Sequence, residues 1–137
     1  MPASALDILV QHSLRKTTVR MQVLDIFLQA KEALSHNDIE LHFNQLDRIT
    51  LYRTLKTFEE KGVIHKAIDG SEKLKYALCS GHCSEHAHED HHAHFHCDHC
   101  GKTICIESMH IPAVQAPVGF QLSGAYRVLK GTCAACS

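Results

Sequence analysis

Apolar side chains recur at helical spacing through the first half of the chain. In "TTVRMQVLDIFLQA", Val19, Val23, Ile26 and Phe27, with Leu24 flanking, fall on one face of a helix. The stretch "SHNDIELHFNQL" opens with Ser35 and, three positions on, Asp38, a capping-box variant that marks a second helix start. A third helix is expected over "DRITLYRTLKTFEEKG", where Asp47 can cap, Ile49, Leu51, Leu55 and Phe58 can face inward, and Gly62 supplies the left-handed stop. Three short helices with brief connections fit a helix-turn-helix. Two strand-like runs follow, "VIHKAID" and "KLKYALC", around a turn containing Gly70. They predict a hairpin, and helices followed by such a hairpin make a winged helix.

Residues 80–94 break this pattern, losing nearly all large apolar side chains while gaining histidine and acid. Such a stretch cannot bury a core. The pattern recovers from Phe95 with "FHC", "KTICI", "ESMHIPAV" and "FQLSGAYRVLKG", in which Tyr126 and Val128 alternate with Arg127 and Leu129. The expected fold class is therefore α+β. A winged-helix domain occupies 1–79, a histidine-rich hinge 80–93, and a small α/β unit 94–137.

Charge narrows the choice of partner. The formal net charge is -1, so nucleic-acid binding must rest on a local patch. Between Ile8 and Leu24 the charged residues are Arg15, Lys16 and Arg20, all basic. No eighteen apolar residues run together, and "MPASALDILVQHSLRKTT" lacks the features of a signal peptide. The expected location is the cytoplasm, with no membrane role. Seven cysteines in a reducing compartment are better explained as thiolate ligands than as disulfides.

"CDHC" places Cys97 and Cys100 three apart, and "CAAC" repeats the spacing at Cys133 and Cys136. Two such knuckles supply the four thiolates that a structural zinc takes in a tetrahedron. The 32 intervening residues exceed a compact zinc-ribbon loop, so a small domain must fold between them. The alternative is a pair of redox dithiols, which would start a helix after a buried strand, whereas Gly101 behind Cys100 favours a knuckle turn. The tract "CSEHAHEDHHAHFHC" also spells HExxH from His88 to His92, but its flanks carry no apolar stripe to pack the helix that a zinc protease needs. A zinc deaminase wants Pro before CxxC, where this chain has His96 and Thr132. No enzyme and no small-molecule substrate are expected. A second metal site is: His65 on the first wing strand, Cys79 ending the second, and His92 and His94 at alternate spacing can converge where the two units meet. His82, Cys83, His86 and His88 form an accessory weak site or a loop.

Taken together, "LRKTTVRMQVL", "ALSHNDIE", "RITLYRTLKTFEEKGVIHK", "HHAHFHCDHCGKTICIE" and "CAAC" resemble the ferric-uptake-regulator family of bacterial metal-dependent repressors, most closely its zinc-uptake branch. The resemblance implies a winged-helix DNA-binding domain, a C-terminal dimerisation domain with structural zinc, and repression by a homodimer on operator DNA when a sensory metal is bound. The family's "TVYR" appears as Thr50-Leu51-Tyr52-Arg53, which implies that Tyr52 packs against the DNA backbone and thymine methyls and that Arg53 contacts phosphate or a guanine edge. Arg15 and Arg20 match basic positions that clamp phosphates, with Lys16 and Lys56 beside them. Iron-sensing members usually read HHDH here and carry a further histidine eight residues before the third zinc cysteine; this chain has Ala93 and Ala125. Cys79 and Cys105 stand where those relatives carry glutamate. Replacing carboxylates by thiolates moves preference from Fe(II) or Mn(II) toward Zn(II). The implied sensory set is His65, Cys79, His92 and His94, with Cys105 and His91 in reserve. The rival readings are an iron or peroxide sensor of the same family, and a zinc buffer without a DNA role.

Overall fold

The computed structural model describes residues 4–70, 73–78, 92–110, 115–122 and 125–137. The first half runs through helices α1 (Ala5–Gln11) and α2 (Thr18–Ala30), strand β1 (Leu34–Ser35), then helices α3 (His36–Glu40) and α4 (Arg48–Glu60). Each helix starts on a side-chain cap: Ser4, Thr17, Ser35 and Asp47. At α3 the cap is reciprocal. Ser35 Oγ accepts the Asp38 N–H at 3.1 Å, and Asp38 accepts the Ser35 N–H at 3.0 Å. Helix α1 is additional to the three helices that the apolar spacing predicts. At 7 residues it is too short to display a periodic stripe, and the capping box between Ser4 and Asp7 is the signal that marks it.

These helices enclose one core, made of Leu9, Val23, Leu24, Phe27, Ile39, Leu51, Leu55 and Phe58, closed below by Val63 and Ile64. Ile49, expected to face inward, is instead 58% exposed. It precedes the buried Leu51 by two residues, which places it about 200° around the helix from that side chain. Strands β2 (Ile64–Lys66) and β3 (Lys75–Leu78) form the expected hairpin, with Ile64 opposite Leu78 and His65 opposite Ala77. Strand β1 pairs with the other edge of β3, giving the order β1-β3-β2. Helices followed by this small sheet constitute the winged helix.

The second sheet contains β4 (His92–Cys97), β5 (Thr103–His110) and β6 (Val128–Gly131) in the order β5-β4-β6. Strand β4 begins two residues before the unit boundary expected at residue 94. It runs antiparallel to β5 and parallel to β6. Across the β4–β5 ladder His94 lies opposite Cys105 and His96 opposite Thr103, with the pair Phe95 and Ile104 between them. Because side chains alternate along a strand, His94, Cys105, His96 and Thr103 share one face. That face meets the winged helix: Ala33, Ala67 and Ala77 pack together with Cys105 against them, and the Ala33 N–H donates to the Thr103 carbonyl at 2.7 Å. Among the described residues, no helix is long and apolar enough to cross a membrane.

Candidate metal centres and nucleic-acid face

The first cluster lies wholly within the C-terminal unit. Cys97 ends β4 and is buried. Asp98, His99 and Cys100 then reverse the chain, and the Gly101 N–H closes the turn by donating to the Cys97 carbonyl at 2.9 Å. Gly101 takes φ 81°, the left-handed value that a turn exit of this kind requires and glycine adopts without strain. Cys133 and Cys136 form a matching turn just after β6, with the Cys136 N–H donating to the Cys133 carbonyl at 3.0 Å. One ligand atom from each of the four cysteines lies within 4.8 Å of the others. The Cys100 and Cys133 sulfurs are 3.8 Å apart, which is the edge, about 3.8 Å, of a tetrahedron with zinc–sulfur bonds of about 2.3 Å. The donor set therefore fits a zinc ion.

The backbone prepares this cluster for charge. The N–H groups of Cys100 and Cys133 point at Cys97 Sγ, at 3.5 and 3.3 Å. They hold the Cys97 thiol down to about 6, assisted by the His99 N–H. Cys136 is pushed up to about 12, first by hydrogen bonding to the Cys133 sulfur and then by burial. In the metal-free chain one thiolate is thus ready-made and another must lose a proton to ligate. Cys97, Cys100, Cys133 and Cys136 are free thiols, and the Cys97–Cys100 pair sits in a turn at a strand end and not at a helix start, which is not the thioredoxin arrangement.

The second cluster spans the two units. His65 comes from β2 of the wing, and His94 and Cys105 come from opposite positions on β4 and β5. Their ligand atoms also lie within 4.8 Å of one another. Both histidines are 3% exposed, with ring centroids 5.7 Å apart. Cys105 Sγ is 3.6 Å from His65 Nε2, and a tetrahedral zinc bound by one thiolate and one imidazole has an edge of about 3.6 Å. Two imidazoles and a thiolate fit zinc, with room in the set for a fourth donor. Of the other residues the sequence singled out, Cys79 and His91 lie outside the described residues, as do His82, Cys83, His86 and His88. His92 opens β4, and its side chain lies outside the described part. Of the HExxH stretch, His88 to His91 lie outside the described residues, and His92 is the first residue of β4. Cys105, held in reserve by sequence reasoning, is thus brought against His65 and His94. Its position opposite His94 follows from the register of β5 on β4 after the knuckle reverses the chain.

A third region concerns nucleic acid. Thr50, Tyr52, Arg53 and Lys56 are all exposed on α4, opposite the face that Leu51, Leu55 and Phe58 bury. Lys56 Nζ stands 6.0 Å from the Tyr52 ring centroid. Arg15 and Lys16 are exposed in the link between α1 and α2, and the Arg20 guanidinium donates to the Arg15 carbonyl at 2.7 Å, bracing that link.

Comparison with known proteins settles the family. The model of the ferric uptake regulator family matches residues 11–124 of this chain. The chain belongs to that family. The ferric uptake regulation protein of Campylobacter jejuni is 36% identical over 92 residues, which are 64% of this chain and 54% of that protein. The chain thus spans about half the length of this relative. A solved zinc uptake regulator complexed with zinc and DNA superposes with a TM-score of 0.66 at 28% identity, covering 96% of this chain and 89% of that one. The ferric uptake regulator of Vibrio cholerae superposes at 0.58 and 21% identity, over 91% and 96% of the two chains, which reflects the shared fold. Members of the family are metal-responsive transcription regulators, not enzymes.

Proposed function

We propose that the chain is a zinc-responsive repressor that binds operator DNA as a homodimer. In this reading Cys97, Cys100, Cys133 and Cys136 hold a structural zinc. His65, His94 and Cys105 hold the sensory one, with Cys79 the intended fourth donor and His91 and His92 as further candidates. The observation that carries the reading is the trio shared between wing and C-terminal hairpin, with Cys105 Sγ 3.6 Å from His65 Nε2. Soft sulfur and imidazole donors favour zinc over Fe(II) or Mn(II), which prefer sets containing carboxylates. The solved relative that carries zinc and DNA together supports the same assignment.

A bound cation supplies a cross-link between β2 and the β4–β5 hairpin. The chain's own residues supply the rest. His65 and His94 are buried, which shields their ring nitrogens from water that would compete for the same cation. The α4 face offers Ile49 and Tyr52 to thymine methyls, with Arg53 and Lys56 directed to phosphate or a guanine edge. Arg15, Lys16 and Arg20 meet the adjacent phosphates. In a dimer joined through the C-terminal units, the angle between wing and C-terminal sheet sets the separation of the two α4 helices, which must match half-sites one helical turn apart.

The test is metal analysis before and after mild chelation, with DNA binding measured on the same samples. One zinc that survives chelation, one that does not, and affinity that follows the labile metal would uphold the proposal. DNA binding indifferent to the labile metal, or restored by Fe(II) or Mn(II) and not by zinc, would refute it. A histidine-rich zinc buffer would take up the labile metal without any salt-dependent gel shift.

A further inference from the structure

Beside the trio, on the same face of the β4–β5 hairpin, lies a second set of polar groups that metal binding does not use. Asp69, at the end of the first wing run, is 2% exposed, and Lys75, opening β3, is 7% exposed. Their side chains are 3.2 Å apart. Thr103 of β5, fully buried, donates its hydroxyl to Asp69 Oδ2 at 2.7 Å and accepts from Lys75 Nζ at 3.1 Å. Lys75 Nζ also donates to the carbonyl of Gly101 at 2.8 Å, the residue immediately behind Cys100. His96 Nδ1 is 3.0 Å from Thr103 Oγ1 and 3.4 Å from Asp69 Oδ2.

Burying a carboxylate and an ammonium is costly unless every lone pair and proton finds a partner. Part of this set comes from outside the wing hairpin. Asp69 takes Thr103, and Lys75 takes Thr103 and Gly101, all from the C-terminal unit. Such a pair disfavours separation of the two units, because separation strips those partners while the attachment at Ala33 N–H to Thr103 carbonyl is lost with it. The geometry adds a second relation: His96 and Thr103 lie two residues along the ladder from His94 and Cys105, about 7 Å. Whatever seats one pair against the wing seats the other.

We propose that Asp69, Lys75 and Thr103 form a positioning latch that docks the wing on the C-terminal hairpin before the sensory cation arrives. The latch sets the resting fraction of docked molecules and thereby the metal concentration at which the rest follow. A conformational pre-equilibrium of this kind scales apparent affinity by the competent fraction. The docking claim stands on the contacts above; its effect on metal affinity rests on the trio being the sensory site.

The decisive variant is Thr103→Val, which keeps shape and removes the hydroxyl, compared with Thr103→Ser, which restores it. The full-length protein, with its four-cysteine zinc retained and the labile metal removed, is followed by amide hydrogen exchange. Exchange at Ala33, whose N–H bonds across the junction, is expected to rise roughly tenfold in T103V, with Val23 and Leu55 in the winged-helix core unchanged and T103S near wild type. Added zinc should restore Ala33 protection, and the zinc concentration needed should rise by the same factor. Unchanged Ala33 exchange in T103V would overturn the latch, as would a T103S variant no better than T103V. If T103V lost the core protection as well, Lys75→Gln in its place must raise Ala33 exchange selectively, or the proposal falls. No arm of the exchange measurement uses DNA, so failure here is separate from failure of the repressor reading.

Discussion

The two sulfur-bearing clusters use similar atoms in opposite ways. All four cysteines of the first come from one small unit, two at the end of β4 and two just after its neighbour β6. A cation there closes contacts that the fold already holds near each other, and the free energy of binding becomes free energy of folding. His65, His94 and Cys105 come from two units, so a cation held there would report on how those units are arranged. Binding can shift an equilibrium only by its differential affinity for the two arrangements. Location, more than donor chemistry, separates a brace from a switch.

Breaking the comparison at its stronger end should produce the largest effect. Cys97→Ser removes a buried ligand that accepts two backbone N–H groups. It should abolish the chelation-resistant zinc and lower the thermal midpoint by about 10 °C or more, measured by calorimetry with metal analysis. His94→Ala should leave that midpoint and the retained zinc nearly intact while removing the gain in DNA affinity on zinc addition, a coupling of about 100-fold at most, read by fluorescence anisotropy. If the two variants behaved alike, the division into brace and switch would be wrong. Arg53→Ala should weaken zinc-loaded DNA binding about tenfold and flatten the salt dependence by about one phosphate contact, without altering metal content.

The smallest expected effect sharpens the electrostatics of the brace. The folded chain depresses the Cys97 thiol to about 6, so above that pH its thiolate is already present and below it a proton must leave as the metal enters. In the H94A background, zinc uptake should therefore release about one more proton at pH 5 than at pH 7.5, measured by calorimetry in buffers of different ionisation enthalpy. Equal proton release at both pH values would mean that the Cys100 and Cys133 N–H groups do not hold the thiolate.

Local rules carried the winged helix. Caps at Ser35 and Asp47, apolar spacing through α2 and α4, and the Gly70 turn are determined within a few residues of one another. Ile49 departs from the expectation because, although it belongs to the apolar sequence of the first turn of α4, its angular position puts it with Tyr52 and Arg53. The CxxC spacing announced the four-cysteine cluster for the same reason that the caps announced helices, since each half is a local turn. The trio was harder. His65 and His94 were recognisable as candidates, but which partner meets them depends on the register of β5 against β4, and a sequence alone does not state that register. The network of Asp69, Lys75 and Thr103 left no sequence signal. Asp69 is an ordinary turn residue and Lys75 an ordinary strand lysine until the second sheet covers them.

The ladder between β4 and β5 is regular from Ala93 onward but slips between His92 and Ala93, where the partner jumps from His110 to Ile106. An irregularity at that point insulates the donors from what precedes them. A change of pairing at His92 therefore need not carry His94 away from Cys105, since the register that joins those two is set from Ala93 onward.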